Sequence, residues 1–237
     1  APDLKAGDIN EVRRLIEKYE MPVLGYTPEH NAYPYNYMIG SEAQRRDAID
    51  YLKLSLEMAK EMGAEFVLTS PANGGYLATY DQLWSILEKN IQELGDYAAK
   101  LEIKLVVEAL TPYESNFFTR ANDLVELFRR VDNPYVVGMC DIVPPFVQHE
   151  SIMAYFDKLG NKMDHMHIID GENGSDTHLI PGEGNIPIKE MLYEMKRIGY
   201  DKTATLELVT NYINEPRFYA KRAIDNMREL MAEAGIV

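Results

Sequence analysis

The chain has almost no sulfur with which to crosslink itself: Cys140 is the one cysteine in 237 residues. An internal disulfide is excluded, and a thiol with no cationic neighbour in the sequence is expected to be buried and inert. A reducing, cytoplasmic setting suits that composition. No apolar run approaches the roughly 18 to 20 residues that cross a bilayer, and no basic, apolar, small-residue leader opens the chain. The expectation is a protein neither embedded in a membrane nor exported. Basic residues are also scarce. Lys and Arg total 24 against 38 Asp and Glu, a formal net charge of -14, and no more than two basic residues are ever adjacent. Such a surface repels phosphate backbones, so nucleic acid is not an expected partner. Low-complexity segments and Ser/Gly-rich hinges are missing too. Residues 1–237 are therefore expected to form one domain, large enough for a sizeable core.

What the sequence does have is alternation. Short β-branched or apolar runs at 22–26, 65–70, 103–110, 135–141, 164–169 and 203–209 alternate with segments whose apolar residues recur every three or four positions. The latter predict helices over 41–62, 81–100, 122–131, 151–159, 188–198 and 216–234. Ser41 and Gln44 stand at capping-box spacing, and Gly63 supplies the stop. Residues 1–7 read as a polar lead into a further helix. Met58, Met62, Met227 and Met231 lie at helical spacing and read as core filling. Repeated strand and helix predict a parallel sheet, either closed as a barrel or open and doubly wound. An open nucleotide-binding sheet would carry a Gly-rich turn after its first strand. Here Thr27-Pro28-Glu29-His30-Asn31 follows instead, which favours the barrel and no nucleotide or flavin.

In such folds ligands meet the carboxyl ends of the strands. Four apolar runs end in metal-type ligands: Glu108 after Leu105-Val106-Val107, Asp141 after Met139-Cys140, His167 in the 164–169 run, and Glu207 in the last. Three carboxylates crowded into one mouth repel one another unless a cation neutralises them, and with one imidazole they suit Mn, Co, Mg, Zn or Fe. His165 shares the face of His167 but lies deeper, and is expected to pack beneath it. Loops at the same end carry Glu114, Asp176 and His178, where substrate contacts belong, although a local turn network would also account for Asp176 and His178. The aromatic loops Tyr33-Pro34-Tyr35-Asn36-Tyr37 and Gly74-Gly75-Tyr76 are expected to pack against neighbouring loops.

With these residues assembled, the sequence resembles the sugar isomerase and epimerase family of the xylose isomerase-like, metal-dependent TIM barrels. Gly25-Tyr26-Thr27-Pro28-Glu29, Leu110-Thr111-Pro112-Tyr113-Glu114-Ser115-Asn116 and Tyr155-Phe156-Asp157-Lys158-Leu159-Gly160 carry the likeness, with Ser175-Asp176-Thr177-His178, Ile180-Pro181-Gly182-Glu183-Gly184, Glu207-Leu208-Val209-Thr210 and Asn214-Glu215-Pro216-Arg217. The resemblance implies an α/β chain folded as a (β/α)8 TIM barrel. It also implies that the first two strands and first helix are absent here, that six βα units remain, and that the natural protein is longer by about 40 residues, one βα unit plus a strand.

By the same resemblance Glu108, Asp141, His167 and Glu207 hold a divalent metal ion (Mn, Co, Mg or Zn), and Glu108 and Glu207 form the proton-transfer pair. Glu114 resembles the loop glutamate with which ketose 3-epimerases bind substrate, and Asp176, His178 and Asn73 complete the expected substrate-contact set. Two positions depart from the ketose 3-epimerase pattern: Pro144 stands where a histidine is frequent, and Asn173 where an arginine is expected. A sugar bearing an amino-acid substituent, a fructosamine, fits that change. The implied activity is C3 epimerisation of a ketose-type sugar by a cytoplasmic homo-oligomer. Aldose–ketose isomerisation, sugar dehydration or sugar binding without turnover are the alternatives on the same ligands. Asp176-Thr177-His178 also resembles the zinc loop of endonuclease IV-type repair enzymes, but Pro144 removes one metal histidine and the acidic balance opposes DNA.

Overall fold

The computed structural model describes residues 9–172, 174–209 and 212–236. Six parallel strands lie side by side in chain order: β1 (Gly25–Tyr26), β2 (Phe66–Thr69), β3 (Lys104–Val107), β4 (Val136–Asp141), β5 (Met163–Ile168) and β6 (Thr203–Leu206). Each strand pairs with its sequence neighbour, the order of a barrel wall rather than of a doubly wound sheet, and the six curl into a half-barrel. β1 pairs with β2 alone and β6 with β5 alone among the described residues.

Eight α-helices accompany the described strands: α1 (Ile9–Tyr19), α2 (Glu42–Glu61), α3 (Tyr80–Leu101), α4 (Ala121–Arg130), α5 (Val143–Val147), α6 (Met153–Leu159), α7 (Ile188–Ile198) and α8 (Pro216–Glu233). The expected capping box opens α2, with Ser41 Oγ accepting the Gln44 N–H at 3.3 Å and Gln44 Oε1 accepting the Ser41 N–H at 2.8 Å. Thr79 and Gln82 repeat it at α3. α5 lies outside the sequence expectation and carries Pro144 and Pro145. Both fall in its first turn, where a missing N–H costs nothing. No helix among the described residues is long and apolar enough to cross a membrane. The expected polar lead, residues 1–7, lies outside the described residues.

Three strands fall short of their apolar runs by three residues or more. β1 pairs only at Gly25 and Tyr26, β3 stops at Val107 and β6 at Leu206. β1 is shortened at its start, whereas past Val107 and Leu206 the backbone leaves the ladder toward the mouth; the Leu110 N–H, for example, turns to the Phe118 carbonyl at 3.2 Å.

The two strand faces serve different cores. Toward the helices a large apolar layer includes Leu52, Leu87, Ile91, Leu105 and Leu127. Toward the barrel axis a smaller layer comprises Phe66, Leu68, Val106, Val137 and Met139, with Leu24 packed against it. Period-two alternation continues that inner row from Val106 to Glu108 and from Met139 to Asp141, which brings charged groups to the mouth. Cys140 faces the opposite way and is fully buried, and burial followed by the Asp141 charge pushes its thiol up. Tyr37 is buried and Tyr35 stacks on Tyr51 with ring centroids 4.5 Å apart, as packing loops should. Tyr33 and Tyr76 instead stand in solvent, 66% and 89% exposed, because nothing in the neighbouring loops covers their rings. Met227 is buried, and Met58, Met62 and Met231 are half-buried.

Candidate metal centre

The strand ladder sets the four candidate ligands. The Glu108 N–H bonds the Thr69 carbonyl at 3.0 Å, so the residue leaves β3 while still anchored to β2. Asp141 is the last residue of β4, lies in register with His167 of β5, and accepts the Val143 N–H on Oδ1 at 2.8 Å. Glu207 follows β6 directly. Glu108, Asp141 and His167 are buried, whereas the Glu207 side chain is 35% exposed.

These groups converge. His167 Nδ1 lies 3.3 Å from Glu108 Oε1 and 3.2 Å from Glu207 Oε2. The loop histidine joins them, with His178 Nδ1 3.5 Å from the same Glu207 oxygen and Nε2 3.4 Å from Asp176 Oδ1. Two triads, Glu108–Asp141–His167 and Asp141–His178–Glu207, each keep their ligand atoms within 4.8 Å of one another. Donors about 2.0–2.2 Å from one divalent ion stand roughly 3 to 4.4 Å apart, so only small shifts separate this cluster from a coordination shell.

The electrostatics ask for a cation. Burial first, then the charges of Glu207 and Glu108, raise Asp141 well above the ordinary carboxyl range. Burial would also raise Glu207, but His167 and His178 pull it down to about 2. Burial opposes charge on His167, yet Glu108 and Glu207 outweigh it and lift that imidazole well above its usual value. His178 rises to about 9 against its own burial, through Asp176, Asp141 and Glu207. Even so, His167 Nδ1 and His178 Nδ1 are buried without a hydrogen-bond partner. Two orphaned imidazole nitrogens facing carboxylate oxygens are the donor set a divalent ion takes, so the residues present fit one.

Beneath them His165 behaves as the alternation implies. Its ring bonds Thr203 Oγ1 at 2.8 Å and Thr205 Oγ1 at 3.1 Å, with its centroid 5.5 Å from that of His167. Burial first, then His167, bring it down to about 4, a neutral support for the ring above.

At the rim, Glu114 Oε2 accepts the Thr111 hydroxyl at 2.9 Å, and Asp176 Oδ2 lies 3.0 Å from the same hydroxyl. One hydroxyl proton serves two carboxylates. Burial, then Asp176 and Glu108, accordingly raise Glu114, although its bonds to Thr111 oppose the shift. Asn73 is held apart from this group: its Oδ1 accepts the Gly75 N–H at 2.8 Å, and its carbonyl accepts the Asn36 amide at 3.1 Å. Asn173 lies outside the described residues.

Two participants escape sequence reasoning. Thr111 joins Glu114 to Asp176 across 65 residues, with no local signal. His30 is buried in the loop after β1, its Nδ1 2.8 Å from the Pro28 carbonyl, and burial pulls it down although Glu108 lies within electrostatic reach. The approach of His178 had one available signal, the Ile180-Pro181-Gly182-Glu183-Gly184 turn that folds its loop back.

Known proteins share this arrangement of elements. Residues 1–230 match the family model described as xylose isomerase-like TIM barrel. The chain is 48% identical over 233 residues to the fructoselysine 3-epimerase of Shigella flexneri, spanning 98% of this chain and 84% of that protein. A D-tagatose 3-epimerase-like protein superposes with a TM-score of 0.80 at 21% identity, over 98% of this chain and 85% of the other. An IolI protein with a bound zinc atom superposes at 0.76 and 19% identity, over 98% and 82%.

Proposed function

This chain belongs to the xylose isomerase-like TIM barrel family, and from that we propose that it is a metal-dependent sugar 3-epimerase, with fructoselysine and its C3 epimer as its substrate pair. One observation carries the proposal: Glu108 and Glu207 approach the same His167 nitrogen from different strands, 3.3 and 3.2 Å away. Inversion at carbon needs one group to take a proton from one face and another to return a proton to the opposite face. Two carboxylates from separate strands supply that pair.

A divalent ion (Mn, Co, Mg or Zn) held by Glu108, Asp141, His167 and Glu207 would supply the charge that lets a hydrogen beside a carbonyl leave near neutral pH. The remaining work belongs to this chain's side chains. Asp141 is fixed by the Val143 N–H, which holds its carboxyl facing the other ligands. Neutral His165 and its two threonines hold His167 from below. Glu114, Asp176 and His178 meet the sugar hydroxyls, and Asn73, its Oδ1 taken by the Gly75 N–H, shapes the neighbouring loop. The lone buried thiol suits a cytoplasmic setting and the acidic balance disfavours nucleic acid, and a homo-oligomer is the common state of such enzymes acting on small molecules.

Proton NMR in deuterium oxide, with fructoselysine, metal-loaded protein and a chelated control, tests this. Metal-dependent exchange at C3 with appearance of the epimer is the expected result. Label entering C1 would make the protein an aldose–ketose isomerase, and silence at both carbons would make it a sugar-binding protein.

A further inference from the structure

Asp170 lies two residues past β5 and is 1% exposed, yet it touches no ligand of the metal centre. Its carboxylate gathers backbone amides from three separate points of the following loop. Oδ1 accepts the Gly171 and Ile186 N–H groups, each at 2.9 Å, and Oδ2 accepts the Gly182 N–H at 2.9 Å. The Asp170 backbone also exchanges two hydrogen bonds of 2.8 Å with Leu179 in an isolated antiparallel bridge. An ionised acceptor makes the strongest of the ordinary hydrogen bonds, and this one is shielded from water.

The bonds close a loop over residues 171–186 at its start, middle and end. Gly184 makes the closure possible: a Cβ there would stand 2.5 Å from Asp170 Oδ1 and 2.5 Å from the Gly171 carbonyl oxygen. Between the tethered points the loop carries Asp176 to Thr111 and His178 to Glu207.

We infer that Asp170 is a positioning residue for substrate capture: its buried carboxylate holds the 171–186 loop so that Asp176 and His178 stand ready at the mouth. This rests on the epimerase reading above for the identity of the sugar, but not for the tether itself. Removing the tether frees the loop while leaving Glu108, Asp141, His167 and Glu207 on their strands. KM should therefore suffer and kcat should not.

The test compares Asp170→Ala, Asp170→Asn and Gly184→Ala in the full chain, with metal content, fructoselysine binding by calorimetry, steady-state constants and amide hydrogen exchange over 171–186. In Asp170→Ala we expect KM and the sugar Kd to rise roughly 10- to 100-fold, the worth of a lost charge-assisted hydrogen bond, with kcat within about threefold. Bound metal should be unchanged and exchange over 171–186 faster. Asp170→Asn, which keeps one acceptor oxygen, should fall between it and the wild type, and Gly184→Ala should reproduce the effect with the carboxylate still present. Unchanged sugar affinity and loop exchange in any folded Asp170 variant would overturn the inference. So would equal losses in kcat and metal content, the mark of a purely structural role. If the wild type fails to epimerise, the functional reading falls alone, since loop exchange and sugar affinity are measured without turnover.

Discussion

The mouth has a closed half and an open half. Glu108 directly follows β3, and Asp141 and His167 stand on β4 and β5; all three strands are paired on both sides, and every residue of β4 and β5 is buried. Glu207 follows β6, which pairs only with β5 among the described residues and whose own residues are half-buried or exposed. In the closed half, burial leads and Asp141 is driven up. In the open half, two imidazoles win and Glu207 is held near 2. Two carboxyl groups of one mouth thus acquire opposite protonation tendencies from their surroundings. Three ligands are placed by a hydrogen-bonded ladder, and the fourth leans on side-chain contacts from His167 and His178.

The sharpest way to break that contrast is to neutralise each glutamate in turn. Glu108→Gln and Glu207→Gln should each lower C3 exchange by about 10²- to 10⁴-fold, the usual worth of a positioned acid or base. A loss of less than tenfold in Glu207→Gln, measured by deuterium incorporation, would show the open half to be a bystander.

Metal affinity should divide the two histidines. His167→Ala is expected to weaken divalent binding by more than about 100-fold, beyond what the loss of an outer partner costs, and His178→Ala by no more than about tenfold. Competition with a chelating dye reads both; equal losses would place His178 inside the coordination shell.

Stability should follow the same division. Leu68→Ala removes a side chain 1% exposed in the axial layer and should cost about 2–5 kcal/mol in urea unfolding. Leu206→Ala on half-buried β6 should cost about 1 kcal/mol, because less apolar area leaves water there. Equal costs would mean that β6 is as tightly held as the interior.

The smallest effect lies far from the mouth. Arg46, 2.7 Å from Glu93 Oε1, with help from Lys53, holds the Glu93 carboxyl near 2 against its partial burial. A folded value below the unfolded one stabilises the protein above the ordinary carboxyl range, and that contribution is lost as pH falls from about 4.5 toward 2. Acid titration of Glu93→Gln should show a slightly shallower loss of stability across that window, and an identical profile would assign the pair no role.

Elements built on local periodicity were legible in the sequence. The runs that became β2 and β4, the Ser41–Gln44 box and the inward parity of Glu108, Asp141 and His167 all follow from neighbours a few residues apart. The Thr111–Asp176 contact and the approach of His178 to Glu207 join residues separated by tens of positions, and no local period encodes them. Strand ends were illegible for a related reason: a parallel ladder stops where its partner stops, so Val107 ends β3 although Leu110 is still apolar.

Cys140, sealed on the helix side of β4, leaves the folded chain without a thiol that water-borne reagents can reach. A cysteine introduced by Ser175→Cys, in the loop that Asp170 ties down, would be the sole target for a maleimide dye or a nitroxide. These 237 residues are thus already a labelling background, on which release of the Asp170-tethered loop can be watched in real time with one added atom of sulfur.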